Sequence, residues 1–262
     1  MEYLRYTIAA QNAAVALSYR ETPAGKTFWA QVAACALEFC EYVFFGAVVL
    51  IAVYFIFKKI PKHVFRKLLH LLAFTCLVEM TLEAQTWEAA ALTSLLFASA
   101  VYPLLCLLEK YDWYAKLLVQ KKPGEVKKSL LMLFIMYAAL ISVCWGALNK
   151  PYIAMASTLM WGVGDAAAAL FGKKFGRHHS ALPAADHNKT REGSAAMMVF
   201  AFLAGMIGLF AIGGLKWYQC VFYPLIAAPV SSLTELITKN GDDTVTVPIA
   251  TAAALTVLSF IF

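Results

Sequence analysis

The sequence predicts an all-α fold, a polytopic membrane bundle of about eight transmembrane helices. Three observations carry this. Hydrophobic residues make up 61% of the 262-residue chain and charged residues only 15%, more apolar content than a soluble domain of this size uses. The excess is gathered into runs close to the ~20 residues that take a helix across ~30 Å of hydrocarbon. Basic residues, finally, are distributed unevenly between alternate loops.

Taken in chain order, residues 1–34 form an N-terminal arm. Its segment LRYTIAAQNAAVAL, at 4–17, is too short and polar to span and predicts an amphipathic or interfacial helix. Arg5 stands alone and no compact apolar region leads to a cleavage site, so a cleaved signal peptide is not expected. Residues 35–262 read as a single transmembrane domain with spans at 35–57, 68–86, 88–108, 129–148, 151–171, 194–213, 217–237 and 245–262. Glu79 and Glu83 load the far end of the second. The six cysteines (35, 40, 76, 106, 144 and 220) lie in or beside these runs without a close-spaced metal pattern, and read as small apolar packing residues. Ala204 and Gly208 are a small-xxx-small pair, a helix-association signal that leaves the oligomeric state open.

Eight spans put the loops 58–67, 109–128, 172–193 and 238–244 on one side. Seventeen of the twenty-two Lys and Arg residues fall there. The positive-inside rule places these loops in the cytoplasm and both termini outside, in a cell inner membrane or an endomembrane. The same asymmetry accounts for the net charge of +6, with anionic lipids as neighbours of the loops. There is no separate basic domain, so no nucleic-acid partner is expected. Asn188-Lys189-Thr190 matches a glycosylation acceptor, but a cytoplasmic loop would never meet that modification.

The stretch DAAAALFGKKFGRHH, residues 165–179, sets an acid inside an apolar run. Asp165 lies seven residues before Gly172, about 10 Å up the helix axis from the expected membrane edge. A carboxylate near the middle of a membrane helix costs roughly 2.5–3.5 kcal/mol to insert, which points to a charged substrate or metal, or to a salt bridge within the bundle. Small neighbours, Gly162, Gly164 and Ala166 to Ala169, allow close approach to the backbone. After it, Gly172-Lys173-Lys174-Phe175-Gly176-Arg177 reads as a glycine-basic loop whose N–H groups, lysines Lys173 and Lys174, and Arg177 suit phosphate oxygens. The GxxxxGK[ST] order of a Walker loop is absent.

Three more segments border the same face. In RKLLH, Arg66 and Lys67 share a helical face with His70. Arg66 suits bidentate phosphate binding, and His70 suits a phosphate-orienting or basic role; interfacial cations around a packed histidine are the plainer account. In NKTREGS, Lys189 and Thr190 are candidate phosphate ligands, and Glu192 a metal ligand or a partner for a basic group. Thr190 lacks the Glu or Gln three residues later that completes a capping box, so capping explains it poorly. Near the C-terminus, Glu235 sits within an apolar pattern, and Asp242 and Asp243 follow in a turn. Carboxylates suit an anion pocket only with a cation between them, so Asp165, Glu235 and the Asp242/Asp243 pair are candidates to hold Mg2+. Such a set suits phosphoryl or nucleotidyl transfer from a soluble nucleotide to a lipid, with Asp165, His70 and Lys67 as the candidate catalytic groups.

These residues resemble the membrane lipid kinases that include dolichol kinase, phytol kinase and CTP-dependent diacylglycerol kinase. RKLLH (66–70), WGVGDAAAALFGKKFG (161–176), NKTREGS (188–194) and ELITKNGDDTVTVP (235–248) carry the match in order. The resemblance covers most of the chain from residue 58 onward and implies a multispan helical fold, the catalytic part of the 35–262 domain, that transfers the γ-phosphoryl group of CTP to a membrane lipid alcohol. It places Arg66, Lys67, Asp165, Lys189, Glu192, Glu235 and Asp243 at the nucleotide and Mg2+ site. One departure stands out: the family's Asp-Asn-Leu-Thr-Ile/Val-Pro is here Asp243-Thr244-Val245-Thr246-Val247-Pro248, which replaces an amide with a hydroxyl at position 244. Distant similarity to phosphatidate cytidylyltransferases leaves CDP-lipid synthesis as a second reading. A membrane transporter is a third, though the polar residues crowd one side instead of lining a path.

Overall fold

The computed structural model describes residues 61–111 except 85, then 124–180, 185–187, 189–212, 214–239 and 242–262, together with scattered positions between 33 and 55 that are all helical. The expected interfacial helix at 4–17, most of the first expected span and Asn188 lie outside the described residues. Seven helices follow one another among the described residues: α1 Lys62–Glu83, α2 Trp87–Leu108, α3 Glu125–Leu140, α4 Pro151–Phe175, α5 Arg191–Ile212, α6 Trp217–Ile237 and α7 Asp243–Ile261. A π-helical segment, Ile141–Ala147, prolongs α3. The fold is all-α, and six of these helices are long and apolar enough to cross a membrane, as a multi-pass membrane bundle requires.

The exception is α1, which was expected to span at 68–86. It starts earlier, at Lys62, and holds Arg66 and Lys67 near one end and Glu79 and Glu83 near the other. Charge at both ends leaves too short an apolar middle. Its inward face is nonetheless buried: Phe74, Leu77 and Met80 are at most 3% exposed.

α4 is the central helix. Its most apolar stretch is 72% buried, against 28% for α2 and 33% for α5 and α7. Alanine, serine and glycine dominate its faces, so neighbouring backbones approach closely. Along α5, Met197 and Ala201 meet Gly164, and Gly193 lies so near α4 that a Cβ there would stand 2.9 Å from the Ala168 carbonyl oxygen and 3.3 Å from the Gly172 Cα. Gly208, suggested by the sequence as a signal for association between chains, is used within the fold: it is buried against Leu159 of α4. Outward faces carry large apolar side chains, among them Ile207 at 62% and Val257 at 57% exposure. Hydrocarbon surroundings make such a surface favourable.

Polar groups inside the bundle are tied between helices. Tyr137 of α3 is fully buried; its hydroxyl donates to the Leu77 carbonyl of α1 at 2.8 Å and also pairs with Thr81. Ser94 of α2 donates to the Phe134 carbonyl of α3 at 2.8 Å. Where α2 and α3 meet, Glu109 accepts from Lys127 and from the N–H of Gly124. The Lys127 hydrogen bond holds the Glu109 carboxyl below its ordinary carboxylate value. Gly124 has φ +75°, a conformation that glycine adopts without strain.

One contact yields a direct prediction. A Cβ at Gly162 of α4 would stand 2.5 Å from the Phe74 ring of α1, and that ring packs edge-on against Trp161 with centroids 4.5 Å apart. Phe74 is 2% exposed and has no room to yield. Gly162→Ala therefore overpacks the α1–α4 seam by about 1–3 kcal/mol. The expected result is a Tm several degrees lower in detergent, largely restored by a compensating Phe74→Leu. An unchanged Tm in Gly162→Ala would contradict the packing.

Candidate functional site

The C-terminal end of α4, the N-terminal ends of α1, α5 and α7, and the C-terminal end of α6 share one end of the bundle. Four sequence segments that are distant in the chain meet there. On α1, Lys67 points at α4 and its ammonium donates to Asp165 Oδ2 at 2.6 Å. The two side chains are 20% and 17% exposed, so water can supply little of the charge stabilisation. One turn further along α1, His70 stacks on Phe74 with ring centroids 5.1 Å apart and planes 22° from parallel. Phe74 rests on Trp161 and Gly162, so the imidazole stands on a packed aromatic support, with Asp165 and Lys67 within electrostatic reach.

The second ion pair is built by the connection before α5. Its backbone docks onto the end of α6: Asp186 N–H donates to the Leu236 carbonyl at 3.0 Å, and Lys189 N–H to the Asp186 carbonyl at 3.0 Å. This holds the Lys189 ammonium 2.9 Å from Glu235 Oε1, and the same ammonium donates to the Glu235 carbonyl. The Glu235 side chain is only 8% exposed. Asp243, half-buried in the first turn of α7, lies within electrostatic reach of Asp165, Lys189 and Lys67. Glu235 is in reach of both Asp165 and Asp243. Lys67, His70, Asp165, Lys189, Glu235 and Asp243 thus form one electrostatically connected cluster.

The remaining sequence candidates lie around this cluster in different roles. Arg66, half-buried beside Lys67, acts on His70. The expected glycine-basic loop is half helix: α4 continues through Gly172, Lys173 and Lys174 to Phe175. The segment entering α5 passes close to Gly172, a Cβ at that position standing 3.1 Å from Thr190 Oγ1. Two lysines in a last turn also complement the helix dipole. Lys173, Lys174 and Arg177 are exposed on the rim, with the Lys174 ammonium 5.1 Å from the centre of the Phe175 ring. Thr190 corrects the sequence reading: its hydroxyl accepts the Gly193 N–H at 3.2 Å and its carbonyl accepts Ser194 N–H at 3.0 Å. It does cap α5, alone and without a capping box.

Glu192 meets His178, Oε1 to Nδ1 at 2.7 Å, and the His178 backbone N–H points at the same carboxylate at 3.3 Å. An Arg191 N–H to His178 carbonyl bond of 2.9 Å and a bridge between His179 and Thr190 complete a small clasp joining α4 to α5. Sequence reasoning missed His178, because fourteen residues separate it from Glu192 and no helical period relates them. Asp242 is exposed and opens α7 through its carbonyl, which accepts Val245 and Thr246 N–H groups at 3.0 Å.

Among the described residues, no three His, Cys, Asp or Glu side chains converge as a preformed metal group. A magnesium ion that carries nucleotide phosphates needs only one or two carboxylates, the rest of its shell being phosphate and water. Asp165, Glu235 and Asp243 are hard oxygen donors of that kind. The donor chemistry therefore fits the ion. No family model, curated protein or solved structure matches the chain.

Proposed function

We propose that the chain is a membrane enzyme that transfers the γ-phosphoryl group of CTP to the hydroxyl of a membrane lipid such as a polyprenol, phytol or diacylglycerol. The reaction takes place with Mg2+ at the cytoplasmic face of a cell inner membrane or endomembrane. One observation carries the reading: two lysine–carboxylate pairs and a third acid, from segments far apart in sequence, share a half-buried cluster at one end of an apolar bundle. Free-energy considerations support it, because charged groups placed at the edge of hydrocarbon are expensive and mark sites of charged substrates. The choice of CTP follows the resemblance of the four segments.

Asp165 and Asp243, with Glu235, would hold Mg2+, which when bound neutralises phosphate charge and polarises the transferring group. Lys67, Lys189 and Arg66 bind phosphate oxygens and stabilise the charge that develops on them. Asp165 or His70 accepts the proton of the lipid hydroxyl, and the Phe74 stack keeps the His70 ring in one orientation. The exposed apolar flanks hold the lipid tail in the bilayer, so the headgroup and the nucleotide meet without a three-dimensional search.

The test is incubation of purified protein with Mg2+, γ-labelled CTP and a panel of polyprenols, phytol, diacylglycerol and phosphatidate. Label on a lipid alcohol with release of CDP is the expected outcome. Labelled pyrophosphate with formation of a CDP-lipid would replace this reading with cytidylyl transfer. Solute uptake into sealed vesicles without nucleotide turnover would replace it with transport.

A further inference from the structure

We propose that the two ion pairs are exchangeable, so that a phosphate group and a divalent cation bind this site together and neither binds well alone. The inference rests on the nucleotide-and-metal reading of the cluster and adds to it a rule of assembly. Lys67 lies 2.6 Å from Asp165, and Lys189 lies 2.9 Å from Glu235. Each group that would receive a ligand is therefore already neutralised by the group that would receive the other ligand.

Consider each ligand arriving alone. A cation at Asp165 displaces Lys67 and leaves an ammonium, about one-fifth exposed, without its partner. A phosphate at Lys189 strands Glu235, which is still more deeply buried. Removing one member of a buried pair is strongly unfavourable, because the charge left behind has lost water and partner together. When both ligands arrive, the four charges only change partners. Phosphate oxygens take the two ammoniums while the cation takes the released carboxylates. Asp243, in electrostatic reach of both lysines and of Asp165, adds a third acid to two ammoniums, so the exchange leaves the site net negative toward the cation.

Linkage makes the effect reciprocal: whatever factor phosphate contributes to cation affinity, the cation contributes to phosphate affinity. The test uses the full chain in lipid nanodiscs with Mn2+ and inorganic orthophosphate at concentrations where protein-free controls show neither precipitation nor loss of the free Mn2+ signal. Free Mn2+ is read from its electron paramagnetic resonance signal, and phosphate binding from equilibrium dialysis of labelled phosphate. Saturating phosphate is expected to lower the Mn2+ Kd about tenfold or more, and saturating Mn2+ to lower the phosphate Kd by the same factor. Lys67→Met is expected to bind Mn2+ alone more tightly than the parent and to lose most of the gain from phosphate; Lys67→Gln, which keeps a donor without charge, is expected to do the same. A Mn2+ affinity indifferent to phosphate, no Mn2+ binding under either condition, or weaker Mn2+ binding in both Lys67 variants would each overturn the proposal. Phosphoryl transfer from CTP without coupling would sink this inference and leave the kinase reading. Coupling without transfer to any lipid would do the reverse.

Discussion

Asp165→Asn is expected to lower the proposed phosphoryl transfer by about 10²–10⁴-fold, the range seen when a positioned acid–base group is lost. The variant should be less stable, because Lys67 keeps its charge beside an uncharged amide, but it should still fold. Asn matches Asp in size, and its carboxamide oxygen still accepts from Lys67 across the 2.6 Å contact that joins α1 to α4. What disappears is the negative charge at the centre of the cluster, with its hold on Lys67, His70 and Lys189. Single-turnover assays with γ-labelled CTP check this, and unchanged near-ultraviolet circular dichroism establishes that packing survives. Transfer within about tenfold of the parent would leave Asp165 only the structural role of anchoring Lys67.

The second large effect concerns stability. Lys189→Met is expected to destabilise the protein by about 3–5 kcal/mol, the cost of leaving one member of a buried pair uncompensated. Glu235 is 8% exposed and Lys189 18%, so solvent screening offers little relief. The loss should also remove one tie between Lys189 and α6, since the same ammonium holds the Glu235 carbonyl, while the Asp186 N–H bond to the Leu236 carbonyl remains. Adding Glu235→Leu to Lys189→Met removes the stranded charge, and the double variant is expected to regain most of the lost Tm while remaining inactive. If the double variant is no more stable than Lys189→Met, the pair is not the source of the destabilisation. The comparison thus separates the electrostatic contribution of the pair from its chemical role.

The members of the candidate cluster were largely legible in the chain. Asp165 and Glu235 stand out because acids are costly within apolar runs, and that cost does not depend on how the helices are arranged. Lys67, Lys189 and Asp243 stand out beside them through their position at the ends of those runs. The identity of the partners was not legible. Lys67 and Asp165 are 98 positions apart, and Lys189 and Glu235 are 46 apart; no periodicity connects them. Glu192 illustrates the same limit, since it pairs with His178 across a clasp that neither residue announces.

Local chemistry also misled where packing overrode it. Gly172-Lys173-Lys174 carries the composition of a loop, yet α4 runs through it to Phe175. Thr190 lacks the partner of a capping box and caps α5 all the same, through its own hydroxyl. The second expected span became a helix, α1, whose charged ends leave it outside the set that is apolar enough to cross a membrane.

Hydropathy and helical reach are properties of short stretches, so the sequence by itself determined the all-α membrane bundle, its approximate helix ends and the residues too polar to be accidental there. Charge pairing and close approach depend on what stands opposite, across several angstroms of space and many residues of chain. Only the tertiary structure decided that Lys67 faces Asp165, that Lys189 closes on Glu235, and that the glycines of α4 and α5 draw these pairs into one cluster.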